Sequence, residues 1–305
     1  MSRPKLAGIS TSHLEYLRAA LDHDTWRDAA AAVGVSPSAL SQGLAELERR
    51  LGLVLFERDR RNRVPTSEAH HVGRFATRML AELRELSRWA EEVRTGASGE
   101  VSVGMIDTAA IHHFGDTLVG FRNDNPDLTV RLFVQPSNRL LELLVAGEVD
   151  VVVAVEPPAD DQFVVEPLLA EPLYAYAPPG QAKRSRAASG PWVGFPADSR
   201  TRALTARNLR RLGATYEVVA ESSQPAVLRE MVRLGMGWCV LPASDGEAEP
   251  HALQRAAPDP IAQRTLALVR RRDRDPSAAL QRLIDALSGL TSPQPASGAS
   301  VAPGQ

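Results

Sequence analysis

Residues 25–51, TWRDAAAAVGVSPSALSQGLAELERRL, read as two short helices joined by a tight turn. Thr25 is placed to cap the first helix, with Asp28 three residues on as its acidic partner. Ala29, Ala30 and Val33 form an apolar face of small side chains, so another helix can come close. Gly34 supplies the left-handed turn that a side chain would resist, and Val35 plugs the corner. Ser36 is placed to cap the second helix, and Pro37 fits its first turn, where no N–H is needed.

The second helix has two faces. Leu40, Leu44, Leu47 and Leu51 recur at helical spacing and form one stripe. The opposite side carries Ser38, Ser41, Gln42, Ala45 and Arg49, small or hydrogen-bonding groups with one cation. A helix entering a DNA major groove needs such a face, and a helix-turn-helix delivers it there. A helical hairpin with a solvated face would also satisfy the pattern. The next stretch, LGLVLFERDRRNRVPT (51–66), favours DNA. It reads as strand, turn, strand, with Arg58, Arg60, Arg61 and Arg63 crowded around the turn. Guanidinium groups on a hairpin beside a recognition helix make a phosphate clamp or a minor-groove probe. The candidate DNA contacts are therefore Pro37, Ser38, Ser41, Gln42, Arg49, Arg58, Arg60, Arg61 and Arg63.

The run VSPSALSQGLAELERRLGLVLFER resembles the N-terminal signature of the LysR-type transcriptional regulators. Ser36, Ser38, Ala39, Leu40, Ser41, Leu44, Leu47, Glu48, Leu51, Gly52, Leu55, Phe56 and Arg58 match that pattern. Pro37 stands where Gln is usual, Gln42 where Arg is frequent, and Gly43 sits mid-helix at a cost of roughly 1 kcal/mol against Ala. Pro65 to Ala69 is a weak match to the Leu-Thr-x-Ala-Gly that often follows the wing. The resemblance implies a sequence-specific DNA-binding regulator, a dimerising linker helix and an effector domain of the periplasmic-binding-protein fold. It also implies a homodimer or homotetramer.

The chain has 305 residues, enough for two or three domains, and a formal net charge of −2. Basic character is thus local to the wing, which excludes a histone-like or polybasic binder. The single cysteine, Cys239, lies in the apolar run WCVLP and reads as a buried hydrophobe; it excludes an internal disulfide. MSRPKLAGIST at the start lacks the apolar run of a secretory signal, and no stretch reaches the length of a membrane span. The expectation is a cytoplasmic protein with no membrane contact.

Residues 1–66 are expected to form the winged helix-turn-helix domain, with residues 1–10 as a loose arm and Thr11 or Ser12 opening a first helix. Residues 67–94 read as a long helix opened by Ser67. Along it Val72, Met79, Leu86 and Val93, with Ala76, Leu83 and Ala90, alternate in steps of four and three, a coiled-coil seam. At about 40 Å such a helix exceeds most globular needs, and a dimerising linker is the expectation. TGASG (95–99) is a hinge by composition.

Residues 95–290 read as two α/β units. VSVGMI, TVRLFV and VDVVVAV are strands alternating with helices at 111–122 and 138–146, the pattern of a doubly wound parallel sheet. Residues 173–177 read as a crossover strand and PPGQAKRSRAASGP as a loop. WVGF, YEVVAE and WCVLP are the strands of the second unit, with helices at 202–212 and 224–234. RTLALVRR reads as the return crossover and 276–290 as a terminal helix, while 291–305 is low-complexity and expected to be disordered.

Ligands of open α/β sheets bind beyond the carboxyl ends of strands. Those positions carry Asp107, Thr108, Ser137 and Asn138 in the first unit, and Ser199, Arg200, Arg202 and Ser222 in the second. Their hydroxyls and helix-start N–H groups suit an anion, and Arg200 or Arg202 can pair a carboxylate. Each Ser or Thr can equally be a plain helix cap, either arginine can face solvent, and Asp107 can take an amine or cap a helix. His112 and His113 are adjacent on a helix and point apart, so no metal site is expected. No nucleophile with its base, carboxylate pair or metal spacing points to an enzyme, and no cofactor is implied. The other class open to a two-lobed chain is a transport solute-binding protein, which would have neither the helix-turn-helix nor a signal-free start.

Overall fold

Hydroxyl caps fix the start of the N-terminal helices in the computed structural model, which describes residues 8–59, 62–95, 99–181 and 190–289. Helix α1 (Thr11–Asp22) starts after Ser10, whose side chain accepts from the His13 N–H. Thr25 Oγ accepts from the Asp28 N–H at the start of α2 (Trp26–Ala32), and its own hydroxyl donates to the Asp28 carboxylate at 2.6 Å. Gly34 turns the chain at φ +69°. Ser36 caps α3 (Pro37–Leu51), which Gly52 ends in the left-handed conformation. The wing is an antiparallel pair, β1 (Phe56–Asp59) and β2 (Asn62–Pro65). Helix α4 (Ser67–Thr95) follows. Its cap is Thr66, whose Oγ1 accepts from the Ala69 N–H at 3.1 Å, one residue earlier than the Ser67 the sequence suggests.

The chain divides into two compact units, Met1–Gly96 with Val145–Glu148, and Ala97–Leu144 with Val149–Gln305. The core of the first is built from Leu17, Ala20, Ala29, Ala30, Leu40, Leu44, Leu47 and Leu55. Ala69 joins that core and Val72 packs against it. Ala76, read from sequence as part of a coiled-coil seam, is likewise fully buried. Farther along, Phe75, Met79, Leu83, Leu86 and Trp89 are exposed apolar side chains. The seam is therefore re-phased: its first turns are spent inside the unit, and Phe75 and Trp89, not read from the sequence, lie on the exposed stripe.

In the second unit β3 (Glu100–Met105) lies between β4 (Thr129–Val134) and β5 (Val151–Val155), parallel to both. Ala109–His113 forms one turn of π-helix, followed by α5 (Gly115–Asp124). Helix α6 (Ser137–Val145) leads to β5, whose five residues are all buried. The parallel trio does not continue as a parallel sheet. Strand β6 (Phe163–Tyr176) runs 14 residues, far longer than the crossover read at 173–177, and pairs antiparallel with β10 (Ala262–Arg271). Strand β10 also pairs antiparallel with β5 at one end, and β6 pairs with β9 (Cys239–Pro242) at its other end. These two long strands thus belong to both lobes. The second lobe adds β7 (Trp192–Gly194) parallel to β8 (Val218–Glu221), with α7 (Arg200–Arg211) and α8 (Pro225–Arg233). A short α9 (Ala243–Gly246) follows β9, and α10 (Ala278–Ser288) ends the described chain. Trp192, Trp238, Leu173, Leu209 and Val240 form one core of the second lobe. Residues 1–7 of the expected arm, 96–98 of the hinge, 182–189 of the loop and the expected tail at 291–305 lie outside the described residues.

Candidate functional site

Two surfaces gather the candidate residues. On the first unit, burial of Leu40, Leu44 and Leu47 fixes the rotation of α3 and turns Pro37, Ser38, Gln42 and Arg49 outward, with Ser41 half-buried. Ser36 and Ser38 hydroxyls lie 2.9 Å apart at its tip. Arg49 is engaged: its Nε donates to Glu46 at 2.7 Å, and Arg50 shares the same carboxylate at 2.6 Å. The hydrogen bonds from these two guanidinium groups hold the Glu46 carboxyl down to about 2. In the wing, Arg58 on β1 and Arg63 on β2 are backbone partners in the ladder, and the Arg63 guanidinium sits 4.6 Å over the Trp26 ring. Arg60 and Arg61 lie outside the described residues. Glu48, matched only as part of a signature, has a mechanical role. Its carboxylate accepts the Leu55 and Phe56 N–H groups at 2.7 and 3.1 Å, tying the wing to the end of α3.

In the second unit a cavity of about 180 Å³ opens between the lobes. Its wall includes Asp107 and Thr108 beyond β3, Ser137 and Asn138 at the start of α6, and Ser199 and Arg200 at the start of α7. Arg202 and Ser222 are not on that wall. Arg202 donates to Glu221 at 2.6 Å and to the Phe195 carbonyl at 2.9 Å, and Ser222 accepts from the Gln224 N–H. Asn138 donates across the cleft to the Asp198 carbonyl at 2.7 Å. Ser137 Oγ accepts from the Val155 N–H at 3.0 Å, which leaves its own proton to donate. Thr108 is fully buried, and its hydroxyl donates to Asp245 at 2.6 Å, so it offers the cavity no hydroxyl proton.

Sequence reading missed Arg264 of β10, which lies on the cavity wall at 2% exposure. Its Nε donates to Glu171 at 2.8 Å and its Nη1 to Thr201 at 3.2 Å. Glu171 also meets His113 at 2.9 Å and the Ser244 hydroxyl at 3.0 Å. Burial opposes ionisation of Glu171, but the His113 hydrogen bond and the Arg264 charge outweigh it and hold the carboxyl down to about 2. Burial pushes the Asp245 carboxyl up, against the Thr108 hydrogen bond and the nearby Arg264 and His112. His112 lies 3.2 Å from Asp245. The adjacent histidines do point apart, each to its own carboxylate. Among the described residues no cluster has a metal-ligand set. The signal available in sequence was a charge at an inward position of an otherwise apolar strand, which demands a buried partner.

A winged helix-turn-helix on the same chain as a two-lobed ligand-binding fold defines a ligand-responsive transcription regulator. The match to known families agrees. Residues 11–70 match the family described as bacterial regulatory helix-turn-helix protein, lysR family, and residues 94–291 match the LysR substrate binding domain. Among curated relatives, the chain is 28% identical to the uncharacterised HTH-type transcriptional regulator YfeR of Shigella flexneri, covering 83% of this chain and 85% of that one. It is 27% identical to the HTH-type transcriptional activator IlvY of Salmonella typhimurium, covering 81% and 84%. Among solved structures, full-length CbnR complexed with its target DNA matches at TM-score 0.61 and 20% identity, over 92% of this chain and 99% of that one. A cysteine-substituted full-length OxyR from Pseudomonas aeruginosa matches at TM-score 0.54 and 22% identity, over 92% and 94%.

The chain belongs to the LysR family of transcriptional regulators, with a helix-turn-helix DNA-binding part and an effector-binding part. No helix among the described residues is long and apolar enough to cross a membrane.

Proposed function

We propose that α3 and the wing read double-stranded DNA, and that a small carboxylate in the interlobe cavity sets the affinity of that reading. Ser38, Ser41 and Gln42 are the base-reading set, with Pro37 shaping the helix tip. Arg49, Arg58, Arg60, Arg61 and Arg63 are the phosphate set. Working boundaries are 1–66 for DNA binding, 67–94 for the linker, 95–290 for the effector domain and 291–305 for the tail.

The observation that carries the effector reading is the cavity wall itself. Arg200 stands at the first turn of α7, where Ser199 Oγ takes only the Arg202 N–H, and Ser137 lines the same cavity with a spare proton. An anion bound there engages both lobes, and lobe closure is a two-state element that a ligand can bias. A tenfold change in DNA affinity needs only about 1.4 kcal/mol of coupling. The exposed stripe Phe75, Met79, Leu83, Leu86 and Trp89 on α4 supports a homodimer through that helix, alone or doubled into a homotetramer. A target of double-stranded DNA agrees with work in the cytoplasm.

Selection of bound fragments from randomly sheared genomic DNA, followed by titration of the recovered site with and without carboxylates, tests the proposal. A sequence-specific site whose affinity shifts with a carboxylate is the expected result. Binding that is uniform across fragments refutes the base-reading role, and an affinity indifferent to every carboxylate refutes the effector role.

A further inference from the structure

The interlobe cavity holds one unmatched charge of each sign. Asp107 and Arg200 both line it, one from each lobe, and both are half-buried. Neither makes a hydrogen bond or an ion pair among the described residues, with each other or with any other group. The Nε of Arg200 is fully buried without an acceptor. Buried donors left without acceptors, and charges held apart in a small space, are costly. A ligand carrying both charges would complete them.

We propose that this cavity takes a zwitterion, an α-amino acid with an uncharged side chain. Its carboxylate meets Arg200 and the first N–H groups of α7, and its ammonium meets Asp107. The inference rests on the anion reading of the same cavity and adds the second charge. A plain carboxylate would leave Asp107 unpaired and would feel its repulsion, and a dicarboxylate more so. A plain amine would leave Arg200 and the helix start unsatisfied. Two further charged groups reach the wall, but each already has a protein partner: Arg264 pairs with Glu171 and the Asp198 carboxylate meets Asn138. The rest of the wall is uncharged, with Ile106, Val155, Phe195 and Pro225 as its apolar part. They suit a side chain without charge. The volume of about 180 Å³ lies below the range for drug-sized ligands and fits a small metabolite. Because Asp107 follows β3 in one lobe and Arg200 opens α7 in the other, the two ends of one ligand would hold the lobes together.

The test is thermal shift followed by calorimetry on the full-length protein, with millimolar probes. The probes are each proteinogenic amino acid and, for any that bind, the matching 2-hydroxy acid and the matching decarboxylated amine. The expected result is stabilisation by one or a few uncharged amino acids. Both single-charge analogues should bind at least about tenfold more weakly, because each leaves one wall group unpaired. Asp107→Asn should narrow the gap between amino acid and hydroxy acid, with its ligand-free melting temperature reporting that it is folded. A hydroxy acid that binds wild type as tightly as its amino acid, with Asp107→Asn making no difference, overturns the zwitterion and leaves the anion cavity standing. An amine that binds as tightly as the amino acid overturns both, and a panel with no binder overturns the zwitterion inference.

Discussion

Replacing Glu171 with Gln removes one charge from the buried pair that braces the cavity wall. The side chains of Arg264 and Glu171 are only 2% and 6% exposed. Glutamine keeps the shape but leaves the guanidinium without a counter-charge. Removing one partner of a buried pair costs about 3–5 kcal/mol. The lowered Glu171 carboxyl points to the same scale. It is lowered from 4.5 to about 2, which corresponds to about 3 kcal/mol of stability. A depressed carboxyl contributes fully above its unfolded value, so this stability is present above about pH 4.5 and is lost as pH falls towards 2. Asp245 works in the opposite sense: its raised carboxyl makes the folded state take up a proton more readily, which offsets part of the acid loss. Comparing variant with wild type isolates the Glu171 share. The assay is thermal unfolding followed by tryptophan emission in a Trp26→Phe, Trp89→Phe background, which leaves Trp192 and Trp238, buried neighbours in the second lobe with ring centroids 6.2 Å apart. At neutral pH the variant should melt roughly 10 °C lower for a unit of this size, with the gap closing on acidification. Pairing Glu171→Leu with Arg264→Met should recover much of the loss. A drop of under about 2 °C, or acid curves that run parallel, would refute the account of the pair.

Leu83→Glu puts a charge in the exposed stripe of α4 and should dissociate the proposed dimer in sedimentation; an unchanged sedimentation coefficient removes that helix as the main interface. Gln42→Ala should alter which bases are preferred in a selected site, whereas Arg61→Ala should weaken all sites alike and reduce the salt slope by about one; the reverse pattern would overturn the assignment. Gly43→Ala should lower the urea midpoint even though alanine is the better helix former by roughly 1 kcal/mol, because the added carbon would stand 2.5 Å from the Tyr16 ring. A stabilised Gly43→Ala variant would mean that α1 gives way freely.

What the sequence made legible is what short spacing encodes. Thr25, Ser36 and Gly34 each sit within four residues of the groups they cap or turn, so local pattern alone placed the helix-turn-helix. Gly43 shows where that logic stops. Locally it is only a cost, and its reason, the approach of Tyr16 from α1, lies 27 residues away. Strand β6 was half hidden for a related reason. Pro167 and Pro172 argue against a strand, yet Pro167 falls at a register shift opposite Leu266/Ala267, where the ladder is already interrupted. The seam of α4 was counted correctly as apolar, but periodicity does not say which turns a neighbouring helix will cover, and α1 takes the first ones.

The cavity follows the same division. Six of its wall residues were named because they stand at strand ends or helix starts, positions that pattern reveals. Arg264 was not, because its meaning depends on register: it lies directly opposite Glu171 on β6, 93 residues earlier. Those two strands are the ones shared by both lobes. The ladder between them carries the buried pair, with His113 from the first lobe and Thr201 from the second attached to its two ends. The pair costs desolvation that an apolar pair would not. What it supplies instead is directional: a guanidinium and a carboxylate in register fix which residues of the two long strands lie opposite each other.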